Sequence, residues 1–327
     1  MFCEVHFSWR QEVLALACKM ITILMTSYNG EKYIAEQIES LLSQTEQRFK
    51  VIVSDDGSTD STWDILTGYT EKYPEKFFIF KNNPPHGAKY NFLNLMICYK
   101  DDYLMLCDQD DVWLDNKIEN ELNAMLELEA NFGRNMPLLV HTDLRVVDSE
   151  LNSIYDSFKE MMNANYARVS LKDQIIQNTL TGCTAMYNRA LANMITAQPN
   201  FCVMHDWWLM LTAAAFGRIF PLYERDILYR QHHDNEIGAK HVRSVSYMLN
   251  RLFFDPSGIS KALNETYLQA KSFVEMYSEN LTDEQKKFLL DYTRIPEYGK
   301  LKRISESYRL GVKKNGFFRQ IAQLLFV

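Results

Sequence analysis

The sequence predicts an α/β protein with a mainly parallel central sheet flanked by helices, followed by a helical C-terminal region. Short β-rich apolar runs alternate with stretches whose apolar residues recur at helical spacing, the pattern of parallel strands joined by right-handed crossovers. Three polar loops, TSYNG, SDDGSTD and CDQDD, each follow one of those runs, and a parallel sheet gathers such loops beyond the carboxyl ends of its strands. From about residue 243 the pattern changes character and stays helical.

Each element has a local reason. Residues 21–25 (ITILM) form a strand, and TSYNG after it has turn chemistry in Asn29 and Gly30. In 32–44, Ile34, Ile38, Leu41 and Leu42 recur at helical spacing. Residues 49–53 (FKVIV) are the second strand, and Ser58 or Asp60 is placed to cap a helix starting near Ser61. A short third strand at 77–80 is followed by the loop NNPPHGA and a helix over 90–98 carrying Phe92, Leu95 and Met96. Residues 103–107 form the next strand, 117–132 an amphipathic helix and 138–143 (LLVHTD) a further strand. TGCTAMYNRAL, the helix-like HDWWLMLTAAAFG and the strand-like DILYRQH complete the α/β region.

At 327 residues the chain can bury a large core, and its formal charge of -7 argues against nucleic acid as a partner. Six cysteines without CxxC spacing point to a reducing compartment, with neither zinc nor disulfides. No apolar stretch approaches the length needed to span a bilayer, so a cytoplasmic protein is expected. Residues 1–19 lack the layout of a secretory signal. A strand starts directly after Met20, which makes Met20 the expected initiator and 1–19 an upstream extension or a loosely attached helix. The expected division is then 1–19, an α/β domain over 20–242 and a helical region over 243–327.

The run YLMLCDQDDVW places three carboxylates in four positions. An acidic turn after a strand is often only a solvated loop, but Asp108, Asp110 and Asp111 repel one another unless a cation lies among them. If the strand continued that far, Asp108 and Asp110 would project from one face and Asp111 would turn the other way or enter the next loop. Hard oxygen ligands suit Mg2+ or Mn2+, which leave coordination positions for water and substrate phosphates. The pattern points to a phosphorylated ligand.

Taken together and in this order, TSYNG, VIVSDDGSTDST, YLMLCDQDDVW with a following Lys117, TGCTAMYNR, HDWW and YRQHHDNEIGA resemble the inverting family 2 glycosyltransferases of the GT-A fold, a Rossmann-like nucleotide-sugar-binding architecture. The likeness runs over about 21–240 and is strongest to the bacterial rhamnosyltransferase-like group that builds cell-surface polysaccharide such as O-antigen or capsule. It implies that Thr26, Ser27 and Tyr28 line a nucleoside pocket and that Asp56, or its neighbour Asp55, contacts the base. It implies a DxD motif in which Asp110 is the direct metal ligand and Asp108 lies near the ribose and metal, with Asp111 supporting the ligands or binding the sugar. His232 would approach the metal or the diphosphate, and Gly182 would let the backbone pass close to the donor sugar. Asp206 matches the family's general base, although an Asp there could also cap the helix that follows. The implied reaction uses Mg2+ or Mn2+, a dTDP-L-rhamnose donor ahead of UDP-hexoses, and a saccharide or lipid-linked saccharide acceptor.

Neighbouring residues carry weaker expectations. His205 reads as a structural hydrogen-bonding residue and Cys183 as a small packing residue. Trp113 suits a wall of the acceptor site or the core, and at least one of Trp207 and Trp208 must be core. A non-catalytic nucleotide-sugar-binding module would keep the first three loops and could lose the acid in HDWW, which this chain retains. A nucleotidyltransferase would carry a Gly-rich basic phosphate loop that TSYNGEKY lacks, and a phosphohydrolase would need an attacking group that nothing here specifies. Ten Lys or Arg against three acids over 285–327, with FFRQIAQLLFV at the end, suit peripheral contact with the inner face of the cell membrane as well as an ordinary solvated face.

Overall fold

The structure, a computed structural model, describes residues 20–231 and 256–327. The expected extension 1–19, the boundary near 242 and His232 lie outside those residues. The first half runs β1 (Ile21–Ser27), α1 (Ile34–Leu42), β2 (Phe49–Asp55), α2 (Thr62–Lys72), β3 (Phe77–Lys81), α3 (Ala88–Cys98) and β4 (Tyr103–Cys107). Next come β5 (Val112–Trp113), α4 (Lys117–Phe132), β6 (Leu138–Val147), β7 (Ser153–Tyr155) and the short helices α5 (Phe158–Met161) and α6 (Leu171–Gln174). A 3-10 turn at Gly182–Thr184 leads into β8 (Ala185–Asn188), α7 (Arg189–Ala192), α8 (His205–Phe216) and β9 (Arg218–Arg230). Helices α9 (Pro256–Tyr277), α10 (Asp283–Thr293), α11 (Lys300–Leu310) and α12 (Phe317–Phe326) follow.

Among the described residues the strands form one sheet in the order β3-β2-β1-β4-β8-β6-β9-β5, with β7 paired to β6. The expected βαβ start is a parallel block: β1 pairs with β2 and β4, and β2 with β3, all parallel. Beyond β4 the sheet is mixed, because β8 runs antiparallel to both β4 and β6, and β5 runs antiparallel to β9. The strand expected at 138–143 extends to Val147, and the strand-like DILYRQH is the end of a 13-residue strand that pairs with it.

Alternation along the strands feeds both faces of the sheet. Ile21, Ile23 and Met25 of β1 pack with Ile34, Ile38 and Leu41 of α1, whereas Leu24 joins Phe92, Leu95 and Met96 of α3 on the other side. Helix α8 divides its apolar residues in the same way. Leu209 and Met210 face the sheet, and Trp208 and Leu211 face outward into a cluster completed by Ile259, Leu263 and Phe273 of α9. The Trp208 ring lies 5.2 Å from that of Phe273. The C-terminal helices are thus docked through an apolar layer on α8. No helix among the described residues is long and apolar enough to cross a membrane.

The chain passes from α8 to β9 through Gly217, whose N–H closes the helix on the Ala213 carbonyl. Arg218 N–H then bonds the Pro137 carbonyl at 2.9 Å and starts the register with β6. A Cβ on Gly217 would lie 1.9 Å from that same carbonyl oxygen, which is backbone and cannot swing aside. Gly217→Ala is therefore expected to cost about 3 kcal/mol or more, the upper range for overpacking. A urea denaturation midpoint within error of wild type would contradict this account of the α8–β9 junction.

Candidate active site

Because β1, β2 and β4 are parallel, the loops after Ser27, Asp55 and Cys107 emerge at one edge of the sheet. Their side chains lock them to one another. Asn29, with a positive φ of 46°, accepts from Thr59 N–H at 2.8 Å, and Asn29 N–H donates to the Ser58 hydroxyl at 2.9 Å. Gly30 N–H donates to the Thr62 hydroxyl at 2.7 Å. Asp60 accepts from the N–H groups of Glu31 and Thr62, at 3.1 and 3.0 Å. The N-cap position of α2 is Ser61, without a side-chain cap, and Asp60, one of the two expected caps, serves Thr62 from one residue upstream.

The two adjacent acids of SDDG are separated by this geometry. Asp55 is buried, and its carboxylate accepts from the hydroxyls of Ser27 (2.9 Å) and Ser58 (2.6 Å) and the N–H groups of Gly57 (3.1 Å) and Ser58 (2.9 Å). It ties the first two loops together. Asp56 points instead toward the loop between β3 and α3, accepting from Asn82 at 2.7 Å and Gly87 N–H at 2.6 Å and pairing with His86 at 2.8 Å. Burial pushes its carboxyl up, but the bonds from Asn82, Gly87 and His86 outweigh burial and hold it below its ordinary range. Thr26 and Ser27 are buried, and Tyr28 stands exposed at the rim. Of the three, Tyr28 is the side chain most open to a ligand.

The acidic turn differs from a continued strand. Strand β4 ends at Cys107, so the two-residue alternation that would align Asp108 with Asp110 does not apply. Asp111 is fully buried, and oxygens of Asp108 and Asp111 lie with the Cys183 sulfur within 4.8 Å of one another. Burial first, then the charges of Asp110 and Asp108, push the Asp111 carboxyl well up, against hydrogen bonds from the Cys183 thiol and Arg230 N–H. Burial first, then Asp111 and Asp108, push the Cys183 thiol up as well, so it stands as an S–H donor to Asp111. Cys183 is small and buried, as expected, but it is also part of the acidic cluster.

Three positioning side chains were not foreseen in these roles. Gln109 accepts from Tyr28 N–H and donates to the Tyr28 carbonyl, both at 2.9 Å, so its amide stitches the acidic turn to the first loop as a strand neighbour would. Arg230, buried at the end of β9, donates to the carbonyls of Asp110 (2.9 Å) and Ser149 (2.6 Å), pairs with Glu36 and stacks on Tyr33 at 4.5 Å. Asn178 donates to Asp206. Trp113 is corrected to core: it is buried, with Lys117 4.6 Å from the ring centroid, and is not a wall of an open site.

Asp206 comes from the opposite side. The antiparallel pairing of β8 with β4 brings the Gly182–Thr184 turn beside the acidic loop, and α8 begins against that turn. The N-cap of α8 is Met204, so Asp206 lies in the first turn and is not the cap. Burial pushes its carboxyl up to about 7, against hydrogen bonds from Trp207 N–H, the Asn178 side chain and Gly182 N–H. A Cβ on Gly182 would meet His205 Nε2 at 2.9 Å and Asp206 Cβ at 3.6 Å, so the close approach this glycine permits is to the start of α8. His205 does not act through hydrogen bonds among the described residues: its ring stacks on Phe92 at 4.2 Å, and burial lowers its pKa to about 3. Trp208 is core, whereas Trp207 is half-buried and donates to the Gln174 carbonyl at 2.6 Å.

The lock between Gln109 and the first loop can be tested without any ligand. A Cβ on Gly30 would lie 2.2 Å from Gln109 Oε1, so Gly30→Ala must push that amide out of both bonds with Tyr28. Each bond is worth about 1 kcal/mol. Gly30→Ala and Gln109→Ala are each expected to lose about 1–2 kcal/mol, and the double variant about the same as either alone. Additive losses in chemical denaturation would show that the two residues do not act through one contact.

With this geometry in place, the relatives of the chain are informative. Residues 22–195 match the family described as glycosyl transferase family 2. The chain is 30% identical over 226 residues to a dTDP-rhamnosyl transferase of Shigella flexneri, a match that covers 66% of this chain and 74% of that one. Among solved structures it is similar to S. aureus TarS 1–349 in complex with UDP-GlcNAc, with a TM-score of 0.51 and 16% identity over 90% of this chain and 93% of that one. It is also similar to a mannosyltransferase from Pyrobaculum calidifontis in complex with GDP-Man and Mn2+, with a TM-score of 0.50 and 14% identity over 93% and 83% of the two chains. At those identities the structural likeness speaks to the fold alone. The sequence match, the mainly parallel sheet and the loops gathered at its edge agree: the chain belongs to glycosyl transferase family 2 and is a glycosyltransferase of the GT-A fold.

Proposed function

We propose that the protein transfers a sugar, with inversion, from a nucleoside diphosphate sugar to a hydroxyl of a growing cell-surface polysaccharide or lipid-linked oligosaccharide. The observation that carries this reading is Asp206, a carboxylate with its pKa near 7 set across from the acidic turn. A general base works best when its pKa lies near the working pH. Asp206 takes the proton of the acceptor hydroxyl as that oxygen attacks the anomeric carbon, and the nucleoside diphosphate departs from the opposite face. One displacement inverts the centre, so a β-linked donor yields an α-linked product. dTDP-L-rhamnose is the favoured donor, supported by the Shigella flexneri relative, with UDP-hexoses next.

The acidic turn is suited to a divalent cation. Asp111 has a buried carboxylate oxygen with no hydrogen-bond partner among the described residues, and its carboxyl is crowded by Asp108 and Asp110. A protonated thiol is a poor ligand, so the donor set is carboxylate oxygen, which fits Mg2+ or Mn2+ better than zinc. Asp110 and Asp108 would hold the ion, with Asp111 behind them and His232 as a further ligand. The bound cation would supply Lewis-acid stabilisation of the charge that grows on the departing diphosphate. Tyr28 and Asp56 face the nucleoside in this reading, with Thr26, Ser27 and Asp55 shaping the loop beneath. Gly182 borders the sugar in this reading, and the buried Asp111 supports the ligands from behind.

Two experiments test these assignments. Asp110→Ala is expected to weaken binding of the nucleoside diphosphate sugar severely, and EDTA should do the same to the wild type. Donor affinity unchanged by chelation, measured by calorimetry, would remove the metal. Asp206→Asn should lower transfer by roughly 100-fold to 10,000-fold, the usual contribution of a general base, with donor affinity little changed.

The pH dependence of Asp206 has a definite sign. Wild-type transfer should fall as pH drops below about 7 and the base becomes protonated. Stability runs the other way: the folded pKa is raised from 3.8, so the stability this group contributes is fully present below about 4 and lost as pH rises through about 7. The Asn variant should therefore match or exceed the wild-type melting temperature at pH 8. A lower melting temperature together with lost activity would make Asp206 a structural residue.

A further inference from the structure

We propose that α11 and α12 form a docking face for an anionic lipid bilayer, placed beside the acceptor side of the site. The part that concerns the acceptor rests on the reading of Asp206 as base; the surface itself does not. Residues 300–327 carry seven Lys or Arg against one acid, in a chain whose formal charge is -7. The same segment exposes four large apolar side chains: Leu301 is 84% exposed, Phe317 72%, Tyr308 67% and Leu325 55%.

The segment is not a free arm. Val312 and Val327 are buried in the cluster on α8, with Ala322 and Phe326 packed against it. Helix α12 also buries a polar residue. Gln323 donates to the Val312 carbonyl and accepts from Lys314 N–H, both at 2.8 Å, while Phe317 and Leu325 of the same helix stand in solvent. Water alone would favour the reverse arrangement. The Lys300 ammonium donates to the Leu325 carbonyl, which brings the start of α11 to the end of α12. Tyr308, two turns after Leu301, lies on the same side of α11. Basic groups interleaved with protruding apolar side chains match a surface with negative charge at its face and hydrocarbon just beneath.

The position of this face gives it a purpose. Asn315 N–H, between α11 and α12, donates to the Gln177 side chain at 2.7 Å, and Arg319 donates to the Met162 carbonyl at 2.8 Å. Gln177 precedes Asn178, the residue that bonds Asp206. A bilayer held against α11 and α12 would therefore lie close to the wall of the acceptor side, where an acceptor carried on a lipid phosphate could reach the base without leaving the membrane.

The test is co-sedimentation of the full chain with vesicles of phosphatidylcholine alone and of phosphatidylcholine mixed with phosphatidylglycerol. The wild type is expected to bind the anionic vesicles only, and to release in high salt. Neutralising two charges in Lys302→Gln with Lys313→Gln should weaken that binding about thirtyfold, at the energy usual for each basic residue near an anionic surface. Phe317→Ser with Leu325→Ser should weaken it as well, and both pairs should keep wild-type transfer to a water-soluble acceptor, since all four side chains lie outside the site. Wild type that ignores anionic vesicles, or variants that bind them as the wild type does, would overturn the proposal. So would variants whose only change is lost self-association in analytical ultracentrifugation, which would give the face to a second copy of the chain. Vesicle binding by a wild type that shows no transfer would uphold the surface and overturn the Asp206 reading.

Discussion

The turn from β4 to β5 holds three carboxylates in four residues, and the guanidinium of Arg230 holds the turn. That group is buried, and it reaches the Asp110 carbonyl, the Ser149 carbonyl and Glu36 at once, while the backbone N–H of Arg230 donates to the Asp111 carboxylate at 3.3 Å. A buried cation is tolerable only when its donors are satisfied, and satisfying this one fixes the relative positions of α1, the acidic turn, the β6–β7 turn and the end of β9. The junction fixes the backbone of the turn and so keeps the three acids near one another. A bound cation would offset the negative charge brought together there.

A second layer of buried charge lies under the first. Lys117, Glu121 and Asp226 are all buried, with the Lys117 ammonium paired to Glu121 and seated over the Trp113 ring. Burial works against the Lys117 charge, but Glu121 and Asp226 outweigh it, so the lysine stays protonated. Burial also pushes Glu121 up to about 8, with Lys117 opposing. The charge of the lysine is offset within this layer by Glu121 and Asp226. Trp113 shields the ammonium from water on one side.

The parallel half of the fold was legible because β1, β2 and β4 are buried on both faces and announce themselves as short apolar runs between polar loops, while the edge strand β3 is a short apolar run that stays largely exposed. Helix α4 lies where its spacing put it, over 117–132, and the three loops converge as parallel topology requires. What stayed hidden depends on partners far away in the chain. The burial of Asp111 follows from the pairing of β5 with β9, and its contact with Arg230 spans 119 residues. Asp55 and Asp56 are equivalent as letters, and only the neighbouring Ser27 and Asn82 separate them. Gln109 looked like a spacer between two acids, and nothing local reveals that its amide pairs with Tyr28. Some signal existed for Gly30 and Gly182, since a glycine flanking a functional loop often marks close approach, but what approaches could not be read.

The switch from parallel to antiparallel pairing at β4 is what makes two chemically different walls possible. Were β8 parallel to β4, the turn that precedes it would lie at the far edge of the sheet, and Gly182 could not sit beside Asp108. Running antiparallel, β8 instead begins where β4 ends, so the residues just before it are delivered to the same edge as the first three loops. Helix α8 then packs its first turn on Gly182 and carries Asp206 to that edge from the other side. The parallel half presents carboxylates and backbone N–H groups suited to a nucleotide and its cation, and the antiparallel half presents one partly desolvated carboxylate near neutrality. The proposed inverting displacement would need that separation, because the group that receives the acceptor's proton and the group that steadies the departing diphosphate must stand on opposite sides of the reacting carbon.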